Sequence, residues 1–321
     1  MDNGILNNIN NPLTQLKNNS ILNEALLKSA QQNNTNDQKE TLTLTIVGVG
    51  LIGGSFALSL KDKEIVSKVI GVAHSEKSSK RALELGIVDE ILPLEEAVKA
   101  ADIIYVAIPV DSTIPVIQNI LNILNSKQIL IDAGSTKNAL CLAVSNHPKR
   151  NRFVATHPMW GTEYSGPDAA VKNGFTGRAC VICEKERSDP DALRLVENLY
   201  TTLGMHITYM QPYNHDIHAA YVSHISHITS FALANTVLEK ELEDDTIFSL
   251  AGGGFESTVR LAKSSADMWI PIFEQNKDNV LDVLNEHITQ LRKLKSCFEK
   301  ENWQYLRELI ENANGIKRIL K

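Results

Sequence analysis

The sequence predicts an α/β chain: an N-terminal Rossmann-type, doubly wound parallel sheet followed by an all-helical C-terminal domain. Three observations lead there. The β-branched strand Leu42 to Val47 runs into Gly48-Val49-Gly50-Leu51-Ile52-Gly53-Gly54-Ser55 and then into the helical run Phe56 to Lys61. Short apolar runs then alternate with helical ones as far as Met210, the pattern of a parallel sheet built from crossover units. After Pro212 the β-alternation stops, and residues 213 to 321 read as helices.

Size and composition agree. A chain of 321 residues fits about two domains plus an appendage. Its net charge of −6, with both signs interspersed, indicates neither a nucleic-acid surface nor a patch for anionic membranes. No apolar run approaches the roughly 20 residues needed to span a bilayer, and the N-terminus has no signal-peptide design. A cytoplasmic enzyme or binding protein is the expectation. Four cysteines in a chain this long make no disulfide framework. Cys180 and Cys183 form a C-x-x-C, but on a strand residues three apart point to opposite faces, so the sulfurs diverge and the role is structural.

Residues 1 to about 40 are rich in Asn, Gln, Lys and Ser and offer little apolar surface against the entropy of ordering. They read as a mostly disordered extension, with one helical patch at Ile21 to Leu27. The expected domains are therefore 1–40 extension, 41–210 dinucleotide-binding and 211–321 helical.

Within the first folded domain the glycine run is G-x-G-x-x-G in the required context, strand before and helix after. Gly48 permits the tight turn, Gly50 lets a pyrophosphate approach the backbone, and Gly53 allows helix and strand to pack closely. The helix N-terminus at Leu51 and Ile52 supplies N–H donors and a positive dipole end for phosphate. The second strand, Lys68 to Ala73, ends without the acidic residue that usually binds the ribose hydroxyls of NAD. Its absence permits NADP, with His74, Ser75 and Lys77 able to meet a 2′-phosphate or to be ordinary loop residues. The choice leans to NADP and stays open.

Helices follow at Lys77 to Gly86 and Leu94 to Ala101, a strand at Asp102 to Pro109, a helix at Ile114 to Leu124, and a strand at Gln128 to Asp132 that breaks into Ala133-Gly134-Ser135-Thr136-Lys137. The stretch Asn151 to Gly166 (NRFVATHPMWGTEYSG) opens as a strand and places His157 directly before Pro158, which holds it extended. A histidine fixed at a strand end beside a Gly-containing loop suits a general base, or it merely satisfies a backbone carbonyl. Arg178 to Glu184 reads as a strand, Asp191 to Leu203 as a helix and His206 to Met210 as a closing strand. Because ligands on such sheets sit beyond the carboxyl ends of strands, Gly50, Pro109, Gly134-Ser135 and His157 should rim one crevice.

The helical part has long patterned runs at His215–Glu239, Phe273–Phe298 and Trp303–Leu320. His215, His218, His224 and His227 suggest a metal. At about 100° per residue on a straight helix, however, the first two oppose the last two, which excludes one four-histidine site. The expected apolar face is Ile217, Tyr221, Ile225 and Ile228, and His227 projects away from it beside Ala220, Ser223 and Ala234. Three glycines at Gly252 to Gly254 precede a helical run carrying Arg260, a residue suited to bidentate carboxylate binding or to a surface salt bridge at an interdomain turn.

With these residues in view, the chain resembles the prephenate/arogenate dehydrogenase family of tyrosine biosynthesis. The matching stretches are GVGLIGGS, the DAGSTK turn, THPMWGTEYSG, the VSHISH helix and GGGFESTVRLAKSSADMW, in family order from about residue 42 to Trp269. The resemblance implies oxidation of a cyclohexadienol carrying a ring carboxylate. Hydride passes to a nicotinamide cofactor, NAD or NADP, CO2 departs and the ring becomes aromatic. It makes His157 the acceptor of the hydroxyl proton and Ser135 the serine that orients that histidine. His227, with His224 close by, would bind the substrate side chain, and Arg260 would hold the ring carboxylate. Glu163 would be a polar wall or gate of the substrate site, with Thr162 beside it, and Pro109 would join Gly48, Gly50, Leu51, Ile52, Gly53, His74 and Ser75 against the cofactor. A homodimer through the helical domain is also implied, and no metal.

Two features depart from the family pattern: the missing acid after the second strand, and a chain that ends soon after the helical domain without the regulatory domain some members append. Prephenate is favoured over arogenate because His224 and His227 offer neutral or positive donors and no carboxylate there invites an ammonium. Two other readings compete. Hydroxy-acid dehydrogenases and imine reductases share the two-domain plan. The hydroxy-acid enzymes typically carry a lysine in the first helix of the helical domain, and here none precedes Lys240. A non-catalytic dinucleotide sensor would not need Ser135, His157, His227 and Arg260 together.

Overall fold

The computed structural model describes residues 41–241 and 245–319. Residues 1–40, with the helical patch expected at Ile21 to Leu27, lie outside the described residues, as do 242–244 and the last two. Thr41 to Lys321 forms one compact unit.

Eight strands form one sheet in the order β3-β2-β1-β4-β5-β6-β7-β8. They are β1 (Leu42–Val47), β2 (Val66–Val72), β3 (Glu90–Ile91), β4 (Ile103–Val106), β5 (Ile129–Asp132), β6 (Phe153–Pro158), β7 (Ala179–Cys183) and β8 (His206–Met210). Helices α1 (Leu51–Asp62), α2 (Glu76–Glu84), α3 (Leu94–Ala100), α4 (Val110–Ile123), α5 (Asn138–Val144) and α6 (Pro190–Thr202) connect them.

The buried strands read as continuous apolar runs because both faces of the sheet are covered. Along β4 the faces alternate. Ile103 and Tyr105 join Leu44, Ile46, Phe56, Val154 and Cys180 on one side, whereas Ile104 and Val106 join Val98, Ile117, Leu130, Phe153 and Cys183 on the other. The Phe56 and Tyr105 rings stack 4.0 Å apart and pin α1 to the sheet. Cys180 and Cys183 fall in opposite cores and are free and buried.

The sheet is not wholly parallel. β1 through β6 run parallel, but β7 pairs antiparallel with β6, with His157 opposite Val181, and β8 pairs parallel with β7. The reason lies in the connection: between β6 and β7 the chain forms only the short 3-10 turn Pro167–Ala169, so no helix carries it back across the sheet. The sequence pattern also missed β3 and α5. It started α4 at Ile114, whereas the helix begins at Val110 and contains Pro115.

After Met210 every described element is helical: α7 (Pro212–Ala219), a π-helical turn (Ala220–His224), α8 (Ile225–Glu241), α9 (Gly253–Val259), α10 (Ala266–Gln275), α11 (Lys277–Glu299) and α12 (Trp303–Ala313), with 3-10 turns between. The run expected as one helix from Phe273 to Phe298 is broken at Asn276, which separates α10 from α11. The two parts of the chain are joined where Val110 packs with Trp269 and Ile272. Gln275 bridges them as well, donating to the Val110 carbonyl at 2.7 Å and accepting from Thr136 Oγ1 at 2.6 Å. Among the described residues no helix is long and apolar enough to cross a membrane.

Candidate active site

A cavity of about 610 Å³ opens beyond the carboxyl ends of β1, β4, β5 and β6. That is the size of a small-molecule site. Its wall takes Gly50 to Ile52 after β1, Ala107 to Val110 after β4, Ala133 to Ser135 after β5, and His157 to Gly166 at the end of β6. The helical part closes it with Val222, Ser223, His227, Arg260, Leu261 and Trp269 among others. β1 and β4 are the neighbours at which the strand order reverses, the expected place for a ligand on a doubly wound sheet.

The glycine turn divides its work. Gly48 has φ +97°, and a side chain there would strike the backbone of Ala107, while one at Gly53 would strike the carbonyl of Gly48. Neither glycine lines the cavity; both let α1 pack close to the sheet. A side chain on Gly50 would meet nothing within 4 Å. Gly50 is also the N-cap of α1 and offers no side-chain cap, so the first-turn N–H groups are left for a ligand. The site therefore fits a dinucleotide pyrophosphate.

Past β2 the cavity wall does not reach His74 or Ser75. Both are exposed, and Ser75 caps α2, its hydroxyl accepting from Ser78 N at 3.1 Å. The first carboxylate after the strand is Glu76, in the first turn of α2.

His157 is 8% exposed and lines the cavity. Its Nδ1 lies 2.8 Å from Nε2 of His215, whose own Nδ1 lies 2.7 Å from Oδ1 of Asp216. Asp216 accepts from the backbone N–H groups of Lys137 and Asn138 at 2.8 and 2.9 Å, and so caps α5 from a distance. Burial holds His157 well below the ordinary histidine range, with His215, Lys137 and His224 adding to the effect. The ring is thus neutral near pH 7, the form that accepts a proton.

Ser135 sits in the wall on a turn fixed by Asp132, which is buried against the Lys137 ammonium and accepts from Gly134 N and Thr156 N. No hydrogen bond joins Ser135 to His157 among the described residues. The hydrogen bond of the ring to a side chain runs from its Nδ1 to His215.

His227 donates from Nδ1 to the Ser223 carbonyl at 3.1 Å, and its ring lies 3.6 Å from that of Trp269. Burial lowers its pKa. Arg260 reaches across the mouth to Glu163, Nη1 to Oε2 3.2 Å. The backbone N–H of Glu163 itself, and then Arg260, hold the Glu163 carboxyl below the usual range. Thr162 is in the wall and accepts from Tyr164 N at 3.2 Å.

His224 departs from expectation. It does not line the cavity but is buried behind it, Nδ1 3.1 Å from Nδ2 of Asn276, and burial pushes its pKa down to about 4. The cause is the π-helical turn Ala220–His224. A π turn takes more residues than an α turn, so the straight-helix wheel that opposed His215 to His224 does not apply. Both are buried, and Asn276, the partner of His224, also donates to the Asp216 carbonyl at 2.7 Å, while His218 is exposed. Tyr221, expected on the apolar face, is exposed and donates to Glu286.

Sequence reasoning therefore missed His215, Asp216, Trp269 and Asn276 as neighbours of the site. A usable signal for the first pair was a histidine adjoining an acid in the first turns after Pro212.

Comparison with known proteins agrees with this architecture. Residues 56–209 match the family described as prephenate dehydrogenase, nucleotide-binding domain, and residues 211–312 match prephenate dehydrogenase, dimerization domain. The glycine turn lies just before the first of these. The prephenate dehydrogenase of Bacillus subtilis is 31% identical over 285 residues, 88% of this chain and 76% of that protein. Among solved structures, prephenate dehydrogenase from A. aeolicus, in complex with hydroxyphenyl propionate and NAD+, is similar with TM-score 0.79 and 31% identity over 88% of this chain and 99% of that one. The arogenate dehydrogenase of Synechocystis is similar with TM-score 0.68 and 26% identity over 86% and 99%. A strand-turn-helix nucleotide fold, a histidine-lined crevice at its switch point and matches along most of the chain coincide: the chain belongs to the prephenate/arogenate dehydrogenase family.

Proposed function

We propose that the chain oxidises prephenate to 4-hydroxyphenylpyruvate with loss of CO2, in tyrosine biosynthesis. The observation that carries this is one continuous cavity walled both by the open turn Gly50 to Ile52 and by His157, His227 and Arg260. When bound, the oxidised nicotinamide accepts a hydride. Gly50 and the start of α1 would hold the pyrophosphate, and Pro109 would lie against the cofactor.

His157 accepts the ring hydroxyl proton as the carbinol carbon gives up its hydride. The bond from ring to carboxylate then breaks and CO2 leaves; the electron pair aromatises the ring and passes to the former hydroxyl oxygen, which takes the proton back from His157. Arg260 exchanges Glu163 for the ring carboxylate. It positions that group more than it stabilises it, because binding substrate and transition state equally would not raise turnover. His227, held by Ser223 and stacked on Trp269, meets the side-chain keto acid. Ser135 bonds the substrate hydroxyl, and Thr162 and Glu163 wall the ring.

No carboxylate occupies the end of β2, so NADP+ is admitted beside NAD+, with exposed His74, Ser75 and Lys77 near the 2′ position. We place the division between nucleotide and helical domains after Met210. A homodimer through the helical part is supported by large exposed apolar side chains there, among them Leu250 (89% exposed), Leu291 and Phe298. An arogenate reading keeps the same chemistry and is favoured only if the side-chain pocket accepts an ammonium.

Initial rates with prephenate and arogenate, each paired with NAD+ and NADP+, test the proposal. Prephenate is expected to be the faster substrate with either cofactor. No turnover in any pairing, with dinucleotide still bound, would replace the enzyme by a dinucleotide sensor.

A further inference from the structure

The geometry points to a positioning relay, Asp216–His215, that selects the working tautomer of His157. It rests on the reading of His157 as the base, and it extends that reading to two residues that do not reach the cavity wall.

The assignment follows from counting donors and acceptors. An ionised carboxylate only accepts. Asp216 already accepts from two backbone N–H groups, Lys137 N at Oδ1 and Asn138 N at Oδ2, so both of its oxygens act as acceptors. His215 Nδ1, at 2.7 Å, must therefore carry a proton and donate it to Asp216. In a neutral imidazole the other nitrogen is then bare, so His215 Nε2 is an acceptor. At 2.8 Å from it, His157 Nδ1 must be the donor. His157 Nε2 is left without a proton on a ring that lines the cavity, which is the state a base requires.

The opposite tautomer would present an N–H to the substrate hydroxyl and could not take its proton. The isolated ring has no strong reason to choose, and two side chains contributed by α7 make the choice. Both are buried, at 2% and 3% exposure, so water does not compete for these bonds. Once His157 is protonated at Nε2, its Nδ1–H still faces a bare nitrogen backed by a carboxylate, and the new charge is balanced without any group moving.

The relay also explains why the chain departs from a regular helix here. α7 ends at Ala219, and the π-helical turn that follows lets His215 point to His157 while His227, twelve residues on, reaches the cavity from α8. Asn276, at the break between α10 and α11, fixes the same spot by donating to the Asp216 carbonyl.

The test has one arm that needs neither turnover nor a variant. Nitrogen-15 spectra of the wild-type protein, labelled in histidine, are expected to show His157 protonated at Nδ1 and bare at Nε2 near pH 7.5. A signal for His157 protonated at Nε2 would overturn the relay. In the second arm, His215→Phe keeps ring volume but removes both bonds. It should lower kcat by roughly 100-fold or more, as wrong-tautomer variants of histidine bases do, with the substrate KM changed less than about threefold and dinucleotide affinity unchanged. His215→Gln keeps one donor end and one acceptor end and should recover most of that loss. Equal kcat in His215→Phe and wild type, or a Gln variant no better than Phe while both bind dinucleotide normally, would contradict the proposal. Absence of wild-type turnover would remove the functional reading alone, because the nitrogen spectra report the tautomer independently.

Discussion

Arg260 and Glu163 meet at 3.2 Å across the mouth of the cavity, from the helical part and from the loop after β6. Arg260 is half exposed and Glu163 largely covered. A pair this open to solvent is weak, so Arg260 can leave Glu163 for a substrate carboxylate at small cost. Replacing Glu163 by Gln is accordingly expected to lower the substrate KM by no more than about fivefold. Arg260→Ala should raise KM by roughly 10- to 100-fold, since a hydrogen bond to a charged group contributes about 1.5–3 kcal/mol. Steady-state kinetics on both variants checks this, and an unchanged KM in Arg260→Ala would remove Arg260 from the substrate site.

His157→Asn tests the base. General-base catalysis contributes about 10²- to 10⁴-fold, so kcat should fall within that range. Dinucleotide affinity, read by fluorescence titration, should stay the same because the pyrophosphate turn is built from other residues. Wild-type kcat at neutral pH in this variant would exclude His157 as the base.

The two leading glycines are expected to fail differently. Gly48→Ala puts a side chain at φ +97° and against the Ala107 backbone, so it should cost about 1–3 kcal/mol or more of stability. Gly50→Val points into open space, and its thermal midpoint should stay near that of the wild type while dinucleotide binding is lost. Thermal melts with and without cofactor separate the two. Equal destabilisation by both would contradict the division of roles.

Stability should fall in mild acid. Burial keeps His157 well below the ordinary histidine pKa, takes His224 down to about 4 and lowers His227. The unfolded chain binds protons at these positions at a higher pH than the folded chain does, so stability rises with pH across this window. The contribution is complete above about pH 6.5 and is lost progressively as pH falls below it. With one pKa unit worth about 1.4 kcal/mol, the His224 shift alone predicts a loss of roughly 2 kcal/mol by pH 5, to which His157 and His227 add in the same direction. Urea unfolding at pH 7.5, 6.5, 5.5 and 5.0 measures it, and a flat profile would show that these rings are not held neutral.

Much of this was legible in the residues because it is local. A strand, three spaced glycines and a helix specify the nucleotide turn without reference to distant parts of the chain, and the ends of β4, β5 and β6 could be aligned by the rule for ligands on open sheets. What could not be read depends on geometry set elsewhere. The direction of β7 follows from a long connection without a crossover helix, which an apolar pentapeptide does not encode. His215 was set apart from His224 by a helical wheel that holds only without the π turn. The break at Asn276 interrupts an otherwise helical pattern because that side chain is engaged with the Asp216 carbonyl and His224. Ser135 was placed in the right wall, but the partner of His157 came from a different element, one that pattern alone gave no reason to join to it.

The most direct single test is the stoichiometry of one reaction mixture. Purified protein, prephenate and an oxidised nicotinamide cofactor should yield one reduced nicotinamide and one CO2 for each prephenate consumed, with 4-hydroxyphenylpyruvate as product. The same mixture with His157→Asn should be slower by at least about 100-fold. Reduced nicotinamide without matching CO2, or equal rates from the two proteins, would contradict an oxidative decarboxylation based on His157.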